Sequence, residues 1–326
     1  MTPLERALRE RIRSEGPITV EAYMEACNTY YYATRDPLGA RGDFTTAPEI
    51  HQMFGELVGA ALADVWVRAG KPADAVYAEL GPGRGTLAAD ALRVLRRAGF
   101  EGEVHLVETS PALRAAQSEM VPDAIFHDSI DTLPAAPLML AANEFFDALP
   151  VRQFVEGQER HVVAAAGGLA FDRDGAIVEQ SPARSQAAEQ LGRHLATHGG
   201  VAIIIDYGYS GGETGDTLQA VRAHRYSYVL DNPGEQDLTA HVDFAALAAA
   251  ASSGGAAVSR VTGQGTWLET LGIAARAMAL AAKNPQDTDR IAAARRRLCD
   301  EEEMGRLFKV MAIRSSKWPD VAGLEP

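Results

Sequence analysis

The chain has 326 residues, 47% of them hydrophobic and 23% charged, with a formal net charge of -13. That length buries a large core without staples, and the acidic balance disfavours non-specific attachment to nucleic acid or an anionic bilayer. With only Cys27 and Cys299, neither a disulfide framework nor a CxxC metal knuckle is available.

The first predicted element is a helix over residues 3–14, where Leu4, Leu8 and Ile12 recur at four-residue spacing until Gly16-Pro17 stops it. Its charges stand where a secretory signal needs an apolar stretch, and no apolar run reaches membrane-spanning length. The expectation is a cytoplasmic protein that is not integral to a membrane. Thr19 then caps a second helix with Tyr23, Met24 and Cys27 near one face. A glycine-containing connection over residues 28–48 is long enough to suggest a lid or binding surface. Residues 49–70 return to helix, with Met53, Leu57, Ala60, Ala61 and Val65 inward.

From about residue 73 strands and helices alternate: a strand at 75–80, a glycine turn at 81–85, a helix at 86–98, a strand at 104–107 and a helix at 111–120. A weak strand at 125–126 and a clearer one at 138–142 follow. Short buried strands separated by helices imply a mostly parallel sheet covered on both faces, with ligands beyond its carboxyl ends. Residues 151–163 contain further strand-like segments, 182–196 a helix, 201–205 a fifth core strand, and 217–229 extended or looped chain. Residues 242–251 read as helix, 306–313 as a terminal strand, and 315–326 as a mobile or surface tail. The expected division is an N-terminal helical and lid region, 1–72, and a main domain, 73–326, carrying an accessory insertion at about 151–198.

The central motif is Glu79-Leu80-Gly81-Pro82-Gly83-Arg84-Gly85, directly after an apolar strand. Glycines let backbone amides approach a ligand, and the positive end of the next helix faces the same space. The motif lacks the Gly-Lys-Ser/Thr ending of a P-loop, and Thr86 stands where a dinucleotide fingerprint has its third glycine. S-adenosylmethionine has no pyrophosphate; its cradle needs glycines and acids, with Glu79 and Glu108 as candidates. Glu108 ends the second strand and suits the ribose hydroxyls, while Asp128 after the third suits the adenine edge. Each acid read alone is equally an ordinary strand-end surface residue.

Other local patterns extend along the chain: Gly16-Pro17-Ile18-Thr19-Val20, Tyr31-Tyr32, Arg35-Asp36-Pro37-Leu38-Gly39, Gly42-Asp43-Phe44-Thr45-Thr46-Ala47-Pro48-Glu49-Ile50 and Phe54-Gly55-Glu56. They continue with Asn143-Glu144-Phe145-Phe146-Asp147-Ala148-Leu149-Pro150 and Gln236-Asp237-Leu238-Thr239-Ala240-His241-Val242-Asp243-Phe244. In this order the segments resemble the MidA-like family of class I S-adenosylmethionine-dependent methyltransferases. The resemblance implies a Rossmann-like class I fold with a mostly parallel seven-stranded sheet, N-terminal helices and an inserted cap or sheet extension. It also implies S-adenosyl-L-methionine as cofactor and arginine methylation of a protein acceptor, a respiratory-complex subunit.

A guanidinium, with a pKa of about 12.5–13.8, needs carboxylates to orient it and accept charge or a proton. Glu144 and Asp147 are the catalytic candidates, with local capping of the Phe145-Phe146 turn as their structural alternative. Asn143 is placed at the methionine portion of the cofactor or at the acceptor. The cofactor set is then Glu79, Gly81, Gly83, Gly85, Glu108, Asp128 and Asn143, and the substrate set Asp43, Glu49, His241 and Asp243, with a helix cap as the alternative for the last two. His127 and His241 have no patterned companions, so no metal is expected. Two other functions stay open: small-molecule O- or N-methylation, and a nonenzymatic assembly or interaction protein.

Overall fold

The structure, a computed structural model, describes residues 1–34, 46–212, 215–222 and 225–325. Its centre is a sheet of seven strands: β1 (Val76–Leu80), β2 (Val104–Val107), β3 (Ala124–His127), β4 (Leu138–Asn143), β5 (Gly200–Tyr209), β6 (Ala257–Val258) and β7 (Phe308–Arg314). Their spatial order is β3-β2-β1-β4-β5-β7-β6. The first five run parallel, while β7 is antiparallel to β5 and β6 to β7. Two-residue strands at Val242–Asp243 and Thr262–Gly263 add to β5 and β7. This is the class I methyltransferase arrangement expected from the sequence. β1 and β4 are buried along their whole length, as their unbroken apolar runs require of strands covered on both faces.

Seven helices are labelled: α1 (Pro3–Glu15), α2 (Val20–Thr34), α3 (Met53–Arg68), α4 (Thr86–Arg97), α5 (Pro111–Met120), α6 (Pro182–His198) and α7 (Phe244–Ser253). One face of the sheet packs on α3, α4 and the helices Gln264–Thr270, Ile273–Lys283 and Thr288–Cys299. The other packs on α6 and α7. A third apolar cluster joins α1 and α2 to Val151, Val162 and a small antiparallel sheet. In that sheet Gln219–Arg222 lies between Arg225–Ser227 and Asp237–Thr239; the first two fall within residues 217–229, expected to be extended or looped, and the third lies beyond them. Among the described residues no helix is long and apolar enough to cross a membrane.

Several boundaries differ from the sequence expectation. α2 continues through the supposed connection to Thr34, because no glycine or proline interrupts residues 28–34 and Tyr31 is fully buried. The helix expected from residue 49 is interrupted: Ala47–Ile50 forms one turn, then an extended His51 precedes α3 and its Nδ1 accepts from Met53 N at 3.2 Å. α3 belongs to the 1–72 region yet lies under the sheet in the main core. Only residues 152–180 of the expected insertion form separate β-structure, since α6 packs on α7 and the sheet. The tail is docked, with Val321 and Leu324 buried and Ala322 O accepting from Trp267 Nε1 at 3.1 Å.

Candidate active site

β1 enters α4 through Gly81 (φ +59°), Gly83 (+55°) and Gly85 (+85°), the left-handed conformation that side chains disfavour. A Cβ on Gly81 would stand 3.1 Å from Phe145 Cδ2. Over this turn opens a cavity of about 750 Å³ lined by Glu79, Gly81, Gly83, Glu108, Asp128 and Asn143, among others. Glu108 Oε1 accepts from Ser110 N at 2.7 Å, and its Oε2 from Gln117 Nε2 at 3.3 Å. Gln117 also donates to Gly83 O at 2.6 Å, tying the acid to the glycine turn. Burial raises the Glu108 carboxyl above the usual range. Glu79 is buried, accepts from the Tyr77 hydroxyl at 2.7 Å, and is pushed up to about 8 by burial.

These residues fit S-adenosylmethionine. Among the described residues Asn143 Oδ1 is buried without a hydrogen-bond partner and no cation pairs with buried Glu79; an ammonium group satisfies both. The described lining carries carboxylates from Glu21, Glu25, Glu49, Glu79, Glu108, Asp128 and Glu144 against the single guanidinium of Arg84, which favours a cationic ligand.

A second cavity of about 230 Å³ shares Glu144 and Tyr32 with the first and adds Asp147, Asp237, Tyr207 and His241. Glu144 directly follows β4 at φ +51°, a strained position for a non-glycine residue and one that recurs at functional sites. Its Oε1 accepts from Ala47 N at 3.1 Å and Asn143 Nδ2 at 3.0 Å. Burial, then the neighbouring charge of Asp147, pushes Glu144 up to about 8. Asp147 is also raised by burial, and among the described residues its Oδ1 has no partner. The Tyr32 hydroxyl donates to Asp237 Oδ1 at 2.8 Å.

The turn bearing Glu144 and Asp147 is held from below. Asp206 accepts from Phe146 N at 3.0 Å, Asp147 N at 3.1 Å and Tyr207 N at 2.9 Å. Burial first, with Asp147 and Glu144 adding to it, raises Asp206 well above the usual range. Buried Arg184, at the start of α6, donates to His241 O at 2.6 Å, Ala240 O at 2.9 Å and Asp147 O at 3.0 Å. The small sheet forms one wall by its two-residue alternation. Gln219, Val221, Tyr226, Asp237 and Thr239 line the cavity, whereas Ala220 and Leu238 belong to the core under α1 and α2.

Of the sequence candidates, Glu79, Gly81, Gly83, Glu108 and Asn143 meet in the larger cavity, Asp147 and His241 line the smaller, and Glu144 lines both. Gly85 lies outside the lining and packs against α5, where a Cβ would stand 3.5 Å from Gln117 Cα. Asp128 is at the rim, 83% exposed and paired with Arg114 at 2.7 Å. Glu49 accepts from Thr86 Oγ1 at 2.5 Å beside the glycine turn. Asp243 lines neither cavity; it caps α7 by accepting from Ala245 N and Ala246 N, the structural alternative stated above. Asp43 lies outside the described residues. Tyr32, Arg184, Asp206, Tyr207 and Asp237 were not among the site candidates, although Asp206-Tyr207 ends a core strand where ligand-facing residues gather.

A glycine-turned first strand with acids at the ends of the next strands defines a nucleoside-binding class I methyltransferase fold. The profile of a family described as "Putative S-adenosyl-L-methionine-dependent methyltransferase" matches residues 57–171 and 158–262, and the chain belongs to that family. The chain is 33% identical over 370 residues to protein arginine methyltransferase NDUFAF7, mitochondrial, of Homo sapiens, covering 96% of this chain and 83% of that one. It is 34% identical over 369 residues to the NDUFAF7 homolog of Drosophila melanogaster, also named mitochondrial, covering 95% and 84%. A crystal structure of a superfamily member from Burkholderia thailandensis bound to S-adenosyl-homocysteine superposes with a TM-score of 0.86 at 29% identity, covering 98% and 93%. The protein is thus an S-adenosylmethionine-dependent methyltransferase. The cytoplasmic expectation is withdrawn, because these relatives are named as mitochondrial proteins.

Proposed function

We propose that the protein methylates a guanidinium nitrogen of arginine in a protein acceptor, a respiratory-complex subunit. The carrying observation is the acid-lined smaller cavity, which meets the cofactor cavity at Glu144. The relatives' names support arginine in a protein as acceptor, and the respiratory-complex subunit is what the resemblance to the MidA-like family implies.

Bound in the larger cavity, S-adenosylmethionine supplies a methyl group activated by its sulfonium. Glu108 would take the ribose hydroxyls, Glu79 and Asn143 Oδ1 the ammonium group, and Asp128 the adenine edge. Glu144 and Asp147 orient the acceptor guanidinium so that one nitrogen points into the shared boundary, and one of the two carboxylates takes the proton this nitrogen loses. Asp237 and His241 hold the outer part of the guanidinium, and Tyr207 packs beside them, its ring 5.6 Å from His241 and 5.4 Å from Phe308. Glu49 ties the short helix Ala47–Ile50 to Thr86, and Ala47 N in turn fixes Glu144.

Incubation of the protein with methyl-labelled cofactor and a native extract tests this reading. The expected product is labelled protein whose hydrolysate yields methylarginine. Label confined to a small metabolite overturns the acceptor assignment and favours small-molecule methylation.

A further inference from the structure

The acceptor cavity opens beside an exposed strand. In the small sheet Arg225–Ser227 is an edge, paired on one side with Gln219–Arg222. Among the described residues no strand pairs its other side. All three of its residues are exposed. Tyr226 is 80% exposed yet lines the acceptor cavity, and Leu307, 45% exposed, lines it too. Both stand at the mouth of a carboxylate-lined cavity, where the methylene stem of an arginine would pass apolar surface before its guanidinium reached the acids.

We propose that the acceptor arrives as an extended polypeptide segment that adds to the outer edge of the Arg225–Ser227 strand and lowers its arginine into the cavity between Tyr226 and Leu307. The inference rests on the arginine reading above and names how that arginine is presented. Side chains on paired strands alternate between faces, and residues directly opposite point to the same face. An arginine opposite Tyr226, on a strand about 4.8 Å away, therefore points to the cavity side, while its immediate neighbours point away. Its guanidinium meets Glu144, Asp147 and Asp237, its methylene stem the apolar rim, and its backbone the strand edge. The three surfaces match a peptide-borne arginine, and a free guanidine engages only the first. Main-chain pairing gives affinity that is largely independent of sequence, with specificity at alternate side chains.

The test compares three probes with labelled cofactor: a pool of blocked heptapeptides with central arginine, the same pool N-methylated on the backbone nitrogens flanking that arginine, and N-acetylarginine amide. The expected kcat/KM of the unmodified pool exceeds that of the other two by about tenfold, the equivalent of roughly 1.4 kcal/mol. Tyr226→Ala should raise KM for the pool with kcat and calorimetric affinity for S-adenosylhomocysteine retained, and Tyr226→Phe should restore KM. Equal kcat/KM for the unmodified and N-methylated pools overturns strand pairing while leaving arginine methylation standing. Methylation of none of the probes, with cofactor affinity intact, overturns the arginine reading and this surface with it.

Discussion

Glu144 concentrates the chemistry in one side chain: it stands at a strained backbone position, is half-buried, and touches both cavities. Its carboxyl, pushed up to about 8, is protonated below that pH and ionised above it, and a guanidinium binds the ionised form. The kcat/KM for an arginine acceptor should therefore climb with pH towards about 8 and level beyond. Glu144→Gln should flatten that limb and lower kcat by about 10²-fold with cofactor affinity unchanged; wild-type kcat in the variant removes Glu144 from the mechanism. Buried Glu79 gives a stability prediction of defined sign. Its folded-state pKa of about 8 exceeds the unfolded value of about 4.3, so the native state holds the extra proton and loses that stabilisation as pH rises between the two. Thermal melts of ligand-free protein should fall over this window, and less so in Glu79→Gln; an equal fall in both leaves the effect elsewhere. Glu79, Glu108 and Glu144 stand out as candidates in the sequence because Glu79 is the penultimate residue of a strand and the other two directly follow one. Asp206, Asp237 and Arg184 act through neighbours brought to them only by the fold, which local pattern does not encode.

Among the elements, the parallel strands were readable because both-face burial demands continuous apolar runs. The small sheet was not: strands of three or four residues show barely one period of alternation, and their register is set by contacts with α2 and the β4 turn. The break before α3 was equally silent, since neither glycine nor proline marks His51. Glycine does mark the close approach of α3 to α4, where a Cβ on Gly59 would stand 2.5 Å from Ala91 Cα. Gly59→Leu should therefore cost about 2 to 3 kcal/mol in denaturant unfolding. Stability equal to wild type would mean that the helices tolerate separation.

The sheet and its helices form the cofactor half, while α2 and the small sheet close the acceptor half over it. The halves meet at Glu144 and Tyr32, and Tyr32 spans them: its hydroxyl reaches Asp237, and its carbonyl accepts from Ser110 Oγ at 2.8 Å beside Glu108. The quoted motifs predicted this class of fold. They did not predict the closure, which depends on α2 running to Thr34 and on the small sheet, tied to α2 by Asn28 Nδ2 donating to Leu238 O at 2.8 Å and Asn28 Oδ1 accepting from Leu238 N at 3.2 Å. The proposed embrace of the adenosyl group by the glycine turn and Glu108 is checked by calorimetric titration of S-adenosylhomocysteine into folded wild-type protein, Gly83→Arg and Glu108→Ala. One site per chain in the wild type, no measurable heat with Gly83→Arg and affinity at least about tenfold weaker with Glu108→Ala is the predicted result; equal affinity in all three contradicts it.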